Sequence, residues 1–325
     1  MANARRRGSW IILVALLLAL GIGWSSRQSI SDWFRLLGYT PTAAVSALAQ
    51  ADTMTPAAEH LYYINHPEII AKDYFATRCT TSEKTIVLGC YHSPQSGIFI
   101  LRVSGDSRLD GVMQVTAAHE MLHAAYDRLS ETERAQINGW LQDYYNHQLK
   151  DKRIEAAIAS YRETEPNDVV NEMHSIFATE IIDLPPQLEN YYQRYFTDRQ
   201  KVAQFTADYR AEFTKREALV AAYDKRLKSL NSTIKANEKS LDQQADAIHR
   251  EQARLDSLKS AKRYDEYNAG VDPYNQSVRD YNILLSKTKA EIAEYNQLVA
   301  QRNVIALETQ KLSSELQGGD FSTIN

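Results

Sequence analysis

A strict seven-residue repeat of apolar side chains dominates the second half of the chain. Its positions are Phe213, Val220, Leu227, Ile234, Leu241, Ile248 and Leu255, supported by Tyr223, Leu230 and Leu258. A heptad repeat of this kind predicts the apolar seam of a coiled coil. The stretch 198–262 contains neither Gly nor Pro, so we expect one long helix there.

A second repeat begins beside the segment from Asn268 to Pro273, which contains both a Gly and a Pro. Its heptad positions hold Tyr267, Tyr274, Tyr281 and Tyr295. A second set with the same seven-residue spacing, offset by four residues, consists of Val271, Val278, Leu285, Ile292 and Val299. Two such arms separated by one turn predict an antiparallel coiled-coil hairpin over 198–317, followed by a tail at 318–325. The shorter return arm leaves part of the outgoing helix for another contact, so we expect a protein partner or self-association through the hairpin.

The amino terminus has a different pattern. Three arginines at Arg5 to Arg7 precede fifteen uncharged residues from Trp10 to Trp24. This pattern is typical of a signal anchor, with a cleaved signal peptide as the alternative. We therefore expect residues 1–28 to hold a cytoplasmic tip and a single membrane pass, with the bulk of the chain extracytoplasmic, or secreted if the segment is cleaved. Residues 29–54 then form a juxtamembrane helix, Ser29 to Gly38, and a linker.

Alternating apolar residues predict only a little sheet in the middle of the chain. Thr85 to Leu88 and Gly97 to Val103 are the two convincing strand patterns, so we expect a small antiparallel sheet covered by helices. Cys79 and Cys90 are the only cysteines, and in an oxidising compartment they would form a disulfide across this hairpin. Two buried free thiols are the alternative.

The residues that carry chemistry lie just beyond the strands. Asp110 is a good N-cap for a helix from Gly111 to Leu129, which contains the HExxH sequence of His119, Glu120 and His123. Residues four apart on a helix point the same way, so both imidazoles could bind one metal ion, with Glu120 beside it as a general base. A third ligand is needed, and Glu172, His174 and Glu180 on a downstream helix are the candidates. Glu172 and His174 are two residues apart and could not both reach one ion.

The sequence around Asn171 and Glu172, taken with the HExxH motif, resembles the third-ligand helix of the gluzincin branch of zinc metallopeptidases. That resemblance covers about 35 residues and implies a zincin-like domain over 55–197 in which one Zn²⁺ is held by His119, His123 and Glu172. It also implies peptide hydrolysis with a zinc-activated water and Glu120 as base. The 48 residues between His123 and Glu172 are more than the family usually has, and they predict two inserted helices, the first of which is opened by a capping box of Ser130 and Glu133.

By the same resemblance, the strand from Ile98 to Val103 is expected to accept an extended peptide substrate at the edge of the sheet. Tyr126 and His147 are candidates for polarising the scissile carbonyl. The expected fold class is therefore α+β, mostly helical, with the zincin-like domain followed by the hairpin. The alternative is an envelope scaffold protein whose coiled coil is the functional part and whose zincin-like domain is inactive.

Composition excludes one further class of function. The formal net charge is −4, which argues against a globally basic nucleic-acid binder, so no nucleic-acid partner is expected. The expected partners are a peptide or protein substrate and a membrane.

Overall fold

The computed structural model describes residues 27–79, 88–92, 97–103 and 105–316, and these are mostly helical. Three-dimensionally the chain divides into two compact units. Of the described residues, one unit comprises those up to Arg210 together with 313–316, and the other is Ala211–Leu312. The predicted strand residues 85–87, the apolar segment from Trp10 to Trp24 and the tail at 318–325 lie outside the described residues.

The helices and strands of the described residues follow one another in this order: α1 Arg27–Leu36, α2 Ala43–Ala51, α3 Pro56–Ile64, β1 Glu68–Ile70, α4 Lys72–Arg78, β2 Gly89–His92, β3 Gly97–Leu101, α5 Val112–Asp127, α6 Glu131–His147, α7 Lys152–Thr164, α8 Val169–Glu180, α9 Pro186–Tyr192, α10 Arg199–Ser260 and α11 Tyr264–Glu315. None of these helices has both the length and the apolar composition needed to cross a bilayer.

The sheet has three short strands in the order β1-β3-β2. The β2–β3 pair is antiparallel, with Cys90 opposite Phe99, but its first strand is Gly89–His92 and not the predicted segment from Thr85 to Leu88, of which the described Leu88 lies outside any strand. Strand β1 pairs parallel to β3, with Glu68 opposite Phe99. The sheet is therefore mixed, and the expectation of a purely antiparallel sheet was wrong. The parallel strand β1 is only three residues long, and so short a segment carries no alternating pattern.

The predicted disulfide between Cys79 and Cys90 is present and joins the end of α4 to β2. It packs with Phe75, Phe99 and Leu101 in a small apolar cluster of its own. The alternative of two free thiols is thereby excluded. The bond fixes the edge strand β2 to the neighbouring helix.

Two helix starts near the HExxH motif show where the capping rules hold and where they do not. Ser130 and Glu133 form the predicted capping box at the start of α6, each bonding the other's backbone. The predicted N-cap Asp110 is wrong, because the N-cap of α5 is Gly111 in a left-handed conformation, φ +94°. A Cβ at Gly111 would lie 2.8 Å from Cβ of Phe205, so close packing on α10 requires glycine here.

The core of the first unit forms around α5, most of whose residues are buried. Helices α2, α3 and α8 and strands β2 and β3 pack directly on it. The predicted inserted helices between His123 and Glu172 are α6 and α7. The structure thus encloses the HExxH helix within the fold on several sides.

In the second unit α10 and α11 form a long helical hairpin. Contacts between the arms run in opposite directions along them, since Asp224 meets Arg302, Asn237 meets Glu291, and Leu255 meets Gly270. The predicted seam of α10 is confirmed, because all its apolar positions are buried or half-buried. In α11 one position is wrong: Ile292 is 38% exposed, and its neighbour Glu291 takes the inward place.

The turn of the hairpin lies earlier than predicted, at 261–263 instead of 268–273. Lys262 adopts a left-handed conformation, φ +60°, and the backbone bonds of Lys262 to Lys259 and of Arg263 to Leu258 form a Schellman-type end. A lysine at this position gives no sequence signal for a turn. Pro273 lies inside α11, and Gly270 allows close contact with Leu255 instead of breaking the helix.

Candidate metal centre

Two helices bring three metal-ligating side chains together. His119 and His123 lie one turn apart on α5, with their ring centroids 4.8 Å apart, and Glu172 projects from the first turn of α8. His119 Nε2 is 3.6 Å from Glu172 Oε2, and His123 Nε2 is 3.4 Å from Glu172 Oε1. One ligand atom from each residue lies within 4.8 Å of the other two. The three residues could therefore bind the same ion.

Glu172 is held in place as a buried carboxylate. It is 5% exposed, and its Oε2 atom has no hydrogen-bond partner among the described residues. Burial alone would raise the pKa of Glu172, but the neighbouring charges of His123 and His119 outweigh it and lower the pKa. A hydrogen bond from Tyr161 on α7 acts in the same direction. Tyr161 was not singled out in the sequence, because nothing in the pattern of α7 marks it.

The proximity of Glu172 also shifts the pKa of His119. Burial disfavours its charged form, yet the contact with the negatively charged Glu172 outweighs burial and raises the pKa of His119 to about 9. In the metal-free protein a proton on His119 thus balances the buried carboxylate. A cation bound by all three side chains would balance the same charge.

Glu120 lies beside this group and does not belong to it. It is 6% exposed, and burial raises its pKa against the opposing charges of His119 and His123. Its carboxylate lies against the edge strand, since a Cβ at Gly89 would be 2.8 Å from Glu120 Oε1. A buried carboxylate with a raised pKa next to a group of metal ligands has the properties of a general base.

The two other candidate ligands make different contacts. His174 is fully buried, and its Nε2 atom is 2.8 Å from the Tyr191 hydroxyl within a group of tyrosine rings. Burial lowers the pKa of His174 to about 3, so it stays neutral. Glu180 forms an ion pair with Arg153 on α7. Neither joins His119 and His123.

The proposed carbonyl-polarising residues also make other contacts. The Tyr126 hydroxyl donates to Asn138 Oδ1 at 2.8 Å, and its ring packs 5.3 Å from that of His174. The exposed His147 contacts the carboxylate of Asp143, one turn earlier on α6. Neither residue is part of the group formed by His119, His123 and Glu172.

The strand next to the site is β2 and not the predicted one. Because β3 is the central strand and all its residues are buried, Ile98 to Val103 cannot offer a free edge to a substrate, and that expectation was wrong. The strand whose first residue touches Glu120 is β2, at one edge of the sheet. The sequence could not order the strands, because β1 was not recognised.

A second acidic group shares Glu172. Glu165, Asp168 and Glu172 also bring one oxygen each within 4.8 Å, but Asp168 is exposed and accepts a hydrogen bond from Asn171. Burial, followed by the charges of Glu172 and Asp168, raises the pKa of Glu165. This group extends the negative charge around Glu172 towards solvent.

The site is thus defined by two imidazoles and one carboxylate that converge from two helices, with a second buried carboxylate, that of Glu120, beside them. No protein-family model, curated protein or solved structure matches this chain.

Proposed function

We propose that this protein is a membrane-anchored, extracytoplasmic zinc metallopeptidase. The observation that carries the proposal is the convergence of His119 and His123 on the two carboxylate oxygens of Glu172, at 3.6 and 3.4 Å. The uncharged segment from Trp10 to Trp24 supports the anchor, and the disulfide between Cys79 and Cys90 agrees with an oxidising compartment.

The donor set fits zinc. Two imidazole nitrogens and one carboxylate oxygen make up a set that catalytic zinc sites use, with a further position open to water or substrate. The buried Oε2 atom of Glu172, which has no hydrogen-bond partner among the described residues, fits a site that binds a cation. When bound, zinc would supply Lewis acidity and lower the pKa of an activated water.

Glu120 would then move the proton. It follows His119 directly, so it is rotated by about 100° around the helix and stays clear of the ligand direction. In peptide hydrolysis its carboxylate would accept the proton of the attacking water at Oε and deliver it to the leaving amine nitrogen. The raised pKa of Glu120 favours both steps, because the carboxyl group can then hold the proton between them.

An extended peptide is the substrate that best suits the surroundings. Strand β2 lies at one edge of the sheet, and its first residue, Gly89, lies against Glu120. A peptide that paired with this edge would pass its backbone amides by the general base. Backbone pairing reads no particular side chain, so we expect an unfolded protein to serve as substrate.

The test compares wild type with Glu120→Gln for zinc content and for hydrolysis of an unfolded protein. Glu120→Gln should keep the zinc and lose hydrolysis, because the amide cannot accept the proton. His119→Ala should lose the zinc as well, as measured by elemental analysis. Glu217→Gln, at an exposed position of α10, is the matched control and should change neither.

The outcomes distinguish a peptidase from the alternative, an envelope scaffold protein with an inactive zincin-like domain. Hydrolysis by Glu120→Gln at the wild-type rate would refute the assigned base. Wild-type protein that binds zinc and cleaves nothing would favour the scaffold hypothesis. Unchanged zinc content in His119→Ala would refute the metal centre itself.

A further inference from the structure

Helix α1 exposes its apolar side to solvent. Ile30, Trp33 and Phe34 of α1 and Leu37, which directly follows the helix and still bonds back to Trp33, have the spacing of one helical face. At 100° per residue they fall within a stripe about 100° wide. Their exposed fractions are 48, 59, 62 and 64%. We call these four residues the apolar stripe. A solvent-exposed stripe of this composition is unusual in a soluble domain and marks an interaction surface.

The opposite side of α1 is held by an ion pair. Asp32 lies about 150° from the centre of the stripe and is only 5% exposed. It accepts hydrogen bonds of 2.7 and 2.5 Å from the Arg128 guanidinium, and His60 Nε2 is 3.4 Å from it. Rotation of α1 to bury the stripe would therefore break a buried ion pair. The stripe is fixed facing outward.

Arg128 connects this helix to the site. It is the C-cap residue of α5, five residues beyond His123. The two hydrogen bonds to Asp32 thus link α1 to the helix that carries His119, Glu120 and His123. A surface that held the apolar stripe would therefore also restrict the movement of α5 through these two hydrogen bonds.

The sequence before α1 indicates what covers the stripe. The uncharged segment ends at Trp24, and α1 begins three residues later at Arg27. A chain that leaves a bilayer at Trp24 starts α1 at the level of the lipid headgroups. Trp and Phe are side chains that prefer this depth, and an amphipathic helix parallel to the surface buries its apolar face there.

We propose that the apolar stripe of α1 lies in the interface of a lipid bilayer, and that the Asp32–Arg128 pair thereby fixes α5 relative to the membrane surface. The inference rests on the membrane anchor of the proposed function and does not require peptidase activity. It adds a second membrane contact, made by the folded domain itself.

For the test, the full chain is reconstituted into phosphatidylcholine vesicles, and the vesicles with their bound protein are first isolated by flotation on a density gradient. Single cysteines replace Ile30, Trp33, Phe34 or Leu37 and are spin-labelled without reductant, so that the Cys79–Cys90 disulfide stays intact. Ile283→Cys on α11, where the wild-type side chain is 67% exposed, is the matched control. Power saturation then compares the collision of each label with oxygen, which enters lipid, and with a nickel chelate present on both sides of the vesicles.

Labels on the stripe should collide several-fold more with oxygen relative to nickel than the label at Ile283 does. Stripe labels as accessible to nickel as the control would overturn the inference. So would labels shielded from both reagents, which would indicate a protein cover: residues 10–24 or a second copy of the chain. If the protein fails to float with the vesicles, the anchor and the inference both fail, whereas flotation with nickel-accessible stripe labels overturns the inference alone.

Discussion

A methyl group added at Gly89 should displace Glu120, the proposed general base. Gly89 begins β2, where the edge strand comes closest to α5. A Cβ there would lie 2.5 Å from Thr116 Cγ2 and 2.8 Å from Glu120 Oε1. Carbon atoms pack at about 3.5–4.0 Å, so the Thr116 contact is too short by about 1 Å. Gly89→Ala must therefore separate the strand from the helix or rotate the Glu120 side chain.

The expected magnitudes follow from that overlap. Overpacking of this kind lowers the free energy of unfolding by about 1–3 kcal/mol. A displacement of about 1 Å at a catalytic group costs on the order of 10²-fold in rate. In Gly89→Ala we therefore expect a loss of that order in kcat/KM towards an unfolded protein. Zinc content should stay unchanged, because the three short Cβ contacts are to Thr116 and Glu120 and not to the ligands.

Urea unfolding, elemental analysis and peptide hydrolysis measure the three quantities. Gly139→Ala is the matched control, because a Cβ at this exposed position of α6 meets nothing within 4 Å. It should keep full activity and raise the unfolding free energy by up to about 1 kcal/mol through helix propensity. Wild-type stability and activity in Gly89→Ala would refute the close packing of β2 against Glu120.

Two further predictions concern the contacts that hold the site elements. Burial alone would raise the pKa of Asp32, but the hydrogen bonds and charge of Arg128 hold it below the ordinary value of 3.8. The stabilisation of the fold by this ion pair is therefore complete above pH 3.8 and is lost as the pH falls through the lower pKa that Asp32 has in the folded protein. Asp32→Asn should therefore lower the unfolding free energy by about 1–2 kcal/mol at pH 7, with a smaller difference at pH 3 in urea unfolding; a difference independent of pH would contradict the ion pair. Replacing Cys79, Cys90 or both by Ser should lower the free energy of unfolding by about 2–4 kcal/mol in the same assay. The loss should be equal in all three variants, because each removes the same disulfide bond. A much smaller loss in one of the single variants would argue against the disulfide.

Local rules predicted those parts of the structure that depend on local sequence. The spacing of His119 and His123 places both imidazoles on one side of any helix, so their proximity needed no knowledge of the fold. The capping box of Ser130 and Glu133 and the heptad seam of α10 have the same origin. The preference for Glu172 over His174 and Glu180 came from the family resemblance, since helical geometry alone left all three open.

The missed features depend on residues that are distant in sequence or on unusual backbone. Asp32 and Arg128 are 96 residues apart, and the strand order that makes β2 the edge depends on the three-residue β1. The hairpin turns at Lys262, which takes a left-handed conformation usually adopted by glycine. Pro273 was taken as a helix breaker, but α11 continues through it because Tyr274 and Val278 stay half-buried in the seam.

Both ends of α5 are fixed by such distant contacts, which restrict the movement of the helix that carries His119 and His123. At its start, the glycine cap Gly111 packs directly on Phe205 of α10. At its end, Arg128 is hydrogen-bonded to Asp32 of α1. His119 and His123 lie between these two points, and Glu172 reaches them from α8, which packs along the same helix. A group that must meet a metal ion and a substrate gains from such support, because positions on a helix fixed at both ends vary less than positions on a loop.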